Sequence, residues 1–179
     1  MTSRIAHSLV FCLIVLIAVG CGQESDPGEQ TVTATPGDVV DQPPYPGAVV
    51  FNDALVPSDE WGIDDYEIRT GGDHTPFVEE DTLTVTLSYG GGCEAHDVTL
   101  VAYPSDVLPD SYPVHLDVAL AHDANGDACE AYLTDTYVFD LTLIQTRYRE
   151  AYGDVPGTVI LLLQGVPNDT PELVYAFGS

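Results

Sequence analysis

Between Gly90 and Glu130 the chain gathers the side chains most able to do chemistry: Cys93, His96, His122, Asp123, Asn125, Asp127 and Cys129. The two thiols can close a disulfide, the usual fate of paired cysteines outside the cytosol. With the two imidazoles they could instead form a tetrahedral zinc site, through Cys93-x-x-His96 and His122-x6-Cys129. A third arrangement keeps the disulfide and leaves His96, His122 and a nearby Asp to hold a metal. The bland alternative is that both histidines are satisfied interior residues. Catalysis has little support: the chain has no G-x-S-x-G elbow, no H-E-x-x-H pair and no Ser placed as a nucleophile.

Two apolar-patterned segments carry these residues. In 97–103 and 114–121 the even positions are mostly apolar, the period-2 signature of half-buried strands. Putting both even faces on one side of an antiparallel pair requires an even register. Opposing Val98 to Leu120 meets that requirement and sets His96 across from His122, with Cys93 and Cys129 just beyond. Asn125-Gly126 then suits a type I′ turn, where both residues have positive φ. Such a turn switches the core face of the next strand to odd positions, and Leu133, Tyr137, Phe139, Leu141 and Leu143 are all odd. A three-stranded meander is expected.

Asp123-x-Asn125-x-Asp127 resembles the first half of an EF-hand or dockerin calcium loop, with oxygen donors at positions 1, 3 and 5. It departs after that: Ala128 replaces the Gly of position 6, Thr134 the carboxylate of position 12, and the flanks read as strands. A hairpin turn dressed with Asp accounts for the same residues. No cofactor is expected, with Ca2+ or Zn2+ at His96, His122, Asp123, Asn125 and Asp127 as the alternative.

Residues 1–20 carry Arg4, the apolar run Leu9 to Ile17 and a small-residue exit, which make a signal peptide rather than a membrane span. Ala18-Val19-Gly20-Cys21 resembles the bacterial lipobox. That resemblance covers the targeting segment alone and implies lipidation of Cys21, with Cys12 removed with the leader. It further implies a lipid-anchored place in the cell envelope. Gly22, not Asp, follows Cys21, which by the same analogy favours the outer membrane, on its periplasmic or surface face.

The formal charge is −25, and Lys is absent. After the leader only Arg69, Arg147 and Arg149 face 29 carboxylates. Phosphate binding needs clustered cations, so nucleic acid is excluded as a partner, and membrane contact falls to the acyl anchor. A Lys-free, Asp-rich composition resembles that of halophilic proteins; a calcium-rich exterior is the rival setting.

Residues 21–47, rich in Pro, Gly and polar side chains, read as a disordered spacer. Residues 48–179 read as one domain. Ala48–Phe51 is an expected first strand, Trp61 a cover for one end of the core, and 67–74 a strand end with a Gly-Gly turn. Thr82–Tyr89 alternates cleanly, Thr and Ser on one face, Leu83, Val85, Leu87 and Tyr89 on the other. Ile144, Tyr148 and Ala151 sit at helical spacing before Gly153. Thr158–Gln164 is apolar enough for a central strand covered on both faces, and 172–177 makes the last strand. This pattern predicts an all-β domain, an antiparallel β-sandwich of Ig-like outline with one short helix. The function expected is a non-catalytic binding or envelope-structural module. The ten Tyr of the chain suit a protein or glycan ligand.

Overall fold

Leu83, Val85, Leu87 and Tyr89 are all buried, as the alternation of their strand requires. A computed structural model describes residues 43–55, 60–104, 108 and 112–178, and the following concerns those residues. Nine strands, one α-helix and a 3-10 turn at Gly72–His74 form there: β1 (Tyr45–Phe51), β2 (Glu67–Arg69), β3 (Phe77–Glu79), β4 (Thr82–Gly91), β5 (Asp97–Tyr103), β6 (Val114–Asp123), β7 (Ala131–Asp140), α1 (Thr142–Tyr152), β8 (Gly157–Leu163) and β9 (Leu173–Phe177). The chain is mostly β with one short helix. Its strands make a single curled sheet, ordered β2-β4-β7-β1-β5-β6-β8-β9, with β3 also on β4.

The pairing departs from the expected antiparallel sandwich. β1 runs parallel to both β7 and β5, and β6 parallel to β8. The meander is overturned as well. β5 and β6 do pair, but β7 leaves β6 and lies antiparallel to β4, from Thr82↔Asp140 to Gly91↔Ala131. Asn125 and Gly126 have φ of 52° and 74°, and Asp127 N–H donates to Ala124 O at 2.9 Å, so the turn forms as its residues dictate. Residues 127–130 then stay irregular and carry the chain across to the other half of the sheet. The odd face of β7 is inward as expected, with Tyr137, Phe139 and Leu141 buried. Leu143 is exposed because the helix has already begun.

β1 joins the two halves. Tyr45–Gly47, which composition assigns to the spacer, lies beside β7, and Ala48–Phe51 lies beside β5. At the crossing a Cβ on Gly47 would fall 2.2 Å from the Phe139 ring, so close approach requires glycine. One core serves both halves: Leu83, Leu87 and Phe139 from one, Leu100, Leu116, Leu120 and Tyr175 from the other, with Ile144 and Tyr148 of α1. Ala151 is exposed, and Gly153 closes the helix at φ 88°, its N–H on Arg149 O. β8 lies between β6 and β9, yet Leu162 is exposed, so its outer face is only partly covered. Trp61 is half-buried and outside the core cluster.

Candidate functional site

β4 ends at Gly91 and β6 at Asp123, and the irregular segments that follow them meet at one pole of the domain. Cys93 and Cys129 are joined there as a disulfide, with Cα atoms 5.9 Å apart. Asp127 lies between the cysteines in space. Its Oδ2 accepts from the backbone N–H groups of Gly92 (2.7 Å), Cys93 (2.9 Å) and Glu94 (3.0 Å), and its Oδ1 from that of Cys129 (2.8 Å). Three consecutive donors converging on one oxygen form an anion nest filled by the chain's own carboxylate. Those donors, led by Cys129, hold its carboxyl far below the usual Asp range.

The histidines continue the network. His96 Nε2 lies 3.2 Å from Asp127 Oδ2, with the two side chains 1% and 0% exposed. His96 Nδ1 is 2.8 Å from His122 Nε2. The pairing of β5 and β6 sets Val98 opposite His122, two residues from the expected register but of the same parity, so the imidazoles still meet. An ionised Asp127 can only accept, so His96 Nε2 carries a proton. When both rings are neutral, His96 Nδ1 accepts from His122 Nε2–H. His122 Nδ1 is then left buried without a hydrogen-bond partner.

Aromatic rings enclose the pair. Tyr89 stacks on His96 with centroids 4.6 Å apart and lies 4.8 Å from His122. Its hydroxyl donates to Asp135 at 2.5 Å and lies 2.9 Å from that of Tyr137. Burial, followed by the Asp135 carboxylate, drives the Tyr89 phenol well above its ordinary value. Tyr66 meets His122 edge-on and donates to Leu120 O at 2.8 Å. Gly62, at φ 94°, packs so tightly that a Cβ there would lie 2.2 Å from His122 O.

Asp123 and Asn125 do not join the histidines. Asp123 accepts from the Asn125 N–H, while Asn125 Nδ2 donates to Ala95 O and Asp97. These contacts shape the turn. Cys21 lies outside the described residues. Tyr89, Tyr66 and Gly62 carry no chemical signature in the sequence, since their part in the site is packing; the Tyr89 parity, inward on β4, was the one available signal.

Burial, then the neighbouring His96, depresses the His122 pKa below its ordinary value. Above about pH 6.5 both folded and unfolded states hold that ring neutral. Below it the unfolded chain takes up a proton that the folded chain refuses, so stability falls with acidification until the folded pKa is passed. Melting temperature is therefore expected to decline from about pH 6.5 towards 5, and His122→Gln to flatten that slope. An unchanged slope in the variant would rule this source out.

Sequence comparison is silent. No family model and no curated protein matches the chain. Among solved structures, a Bacteroides fragilis protein provisionally named a lipoprotein aligns with 14% identity and a TM-score of 0.45, over 74% of this chain and 70% of its own. A NigD-like immunity protein from Bacteroides caccae aligns with 14% identity and a TM-score of 0.47, over 73% and 58%. A toxin-related protein from Parabacteroides distasonis gives 16%, 0.42, 75% and 60%. Likenesses this distant carry no functional argument.

Proposed function

We propose that this chain is a lipid-anchored, extracytoplasmic β module without catalytic activity, serving as a binding or structural component of the cell envelope. The observation that carries this reading is the saturation of the cluster. A disulfide occupies both thiols, the Asp127 carboxylate is ringed by backbone donors, and three of four imidazole nitrogens already have partners. Such a site ties loops together, and its one unpartnered nitrogen, His122 Nδ1, is buried away from any substrate. The Ala18-Val19-Gly20-Cys21 segment supports an acyl anchor, and Gly22 supports the outer membrane as its destination.

Labelling with radioactive palmitate tests the anchor. Wild type is expected to be labelled and to sediment with membranes, and Cys21→Ala to lose both properties. Unlabelled wild type, or a variant still bound to membranes, overturns it.

The unpartnered His122 Nδ1 favours one second reading, a metal held at that nitrogen, which His96 could join only by giving up one of its hydrogen bonds. Under the first reading, calcium up to about 1 mM leaves the melting temperature unchanged, as do stoichiometric amounts of zinc. A native mass carrying one metal would favour the second.

A further inference from the structure

The two ends of the curled sheet approach each other without closing. At one level they touch: β3 packs on β9, and the Tyr175 hydroxyl donates to Asp81 at 2.7 Å. At the level of β2 they separate, leaving a cavity of about 410 Å³. Tyr66, Glu67, Ile68 and Thr70 line one wall, Gly165 and Pro167 of the β8–β9 turn the other. A second cavity, about 290 Å³, adjoins through the same turn and reaches Glu172. The larger of the two is itself of ligand-binding size.

β2 is an edge strand. Its three residues pair with β4 through Glu67↔Ser88, Ile68↔Leu87 and Arg69↔Thr86, and no backbone hydrogen bond leaves its other side among the described residues. An unpaired strand edge is a template for another strand. Natural edges are usually blunted by lysine, proline or a covering loop. Here the chain has no lysine and β2 has no proline; the β8–β9 turn approaches the Ile68 side chain, where a Cβ on Gly165 would make an ordinary contact at 3.6 Å. The cavity beside β2 is the space open to an added strand.

We infer that this gap receives an extended, basic peptide segment of a partner protein, added as a strand to the free edge of β2. Main-chain hydrogen bonds to β2 would supply affinity, and the apolar floor of Tyr66 and Ile68 would take alternate side chains. Glu172 stands at the rim, where Glu67 is already engaged by Arg69 and the Tyr132 hydroxyl, and a chain of net charge −25 repels acidic segments while drawing in cationic ones. Arg69, the one cation of β2, is already tied to Glu67 at 3.2 Å. This inference rests on the reading of the chain as a binding module, and it fails separately from the palmitate test, which concerns the anchor alone.

A displayed library of random octapeptides tests it, with the exported chain carrying Cys21→Ser as bait. Thr70→Trp, which fills the gap, serves as the control bait. Wild type is expected to enrich peptides alternating apolar residues with Lys or Arg, and Thr70→Trp to bind them at least tenfold more weakly at an unchanged melting temperature. N-methylating the backbone of a selected peptide should abolish binding at every second position and spare the positions between. Equal enrichment on both baits, or an N-methyl scan without period two, overturns the inference. So does dimerisation of the free chain that Thr70→Trp prevents, which would make a second copy the occupant.

Discussion

Asp127→Ala is expected to lower the melting temperature more than alanine at any other acidic residue of the domain, by roughly 10 °C or more. Bonded carboxylates elsewhere among the described residues accept fewer: Asp64 from the Ala124 N–H, Asp81 from the Tyr175 hydroxyl, Asp97 from the Asn125 amide. Asp127 answers four backbone N–H groups and the His96 ring in a side chain closed to solvent. Truncation leaves those donors facing one another with no acceptor, and a donor orphaned on folding costs more than a hydrogen bond gained. Asp127→Asn keeps the oxygens' place but loses the charge, and should fall between. The acid side has a definite sign. The folded carboxyl titrates far below the unfolded value of about 3.9, so the stabilisation is complete above about pH 4 and is lost as pH falls below it. Wild type and Asp127→Asn melting curves should therefore converge in acid. A melting temperature for Asp127→Ala within about 2 °C of wild type would refute the nest as a structural device.

The sequence shows the inward faces of these strands more readily than their partners. Parity sets which residues of β4, β5, β6 and β7 join the core, because side chains alternate between faces whatever the strand pairs with, although Thr86, Ser88, Thr99, Val101, Ala119 and Ala121 on the opposite faces are buried as well. Parity is blind to the neighbour's identity. Asn125-Gly126 forms its tight turn, yet β7 pairs with β4 because Asp127 and Cys129 are held to the chain beyond β4 instead of returning along β6. Those are long-range bonds, and no local pattern announces them. The same limit hid the role of Asp127. In sequence it is one more Asp in an acidic turn, resembling a calcium ligand; only the convergence of Gly92, Cys93 and Glu94 shows that its charge is already answered within the chain. The His pair was legible because an even register brings the rings together whether the strands slip by two or not. The parallel course of β1 was not, since Gly47 reads as linker until Phe139 is seen against it.

Removing the disulfide should be the second large loss, and it should interact with the first. Cys93 and Cys129 are 36 residues apart, and closing a loop of that length stabilises by about 3–4 kcal/mol in the chain-entropy model. Cys93→Ala/Cys129→Ala should therefore lower the melting temperature by roughly 10 °C and also raise the urea m-value, because the uncrosslinked unfolded chain exposes more surface. Asp127→Ala acts differently: it removes native bonds and leaves m unchanged. Both nevertheless fasten the same two segments, 92–94 and 127–129, to each other. With the disulfide gone, Asp127 alone holds them, so its loss should let the pole open locally before the core unfolds. The combined variant should then lose less stability than the two effects summed, with fast amide exchange at 92–94. Strict additivity would mean that the bond and the nest support the fold independently. The pole would then be two separate fastenings that happen to be adjacent, and the saturated cluster would lose its standing as one structural unit.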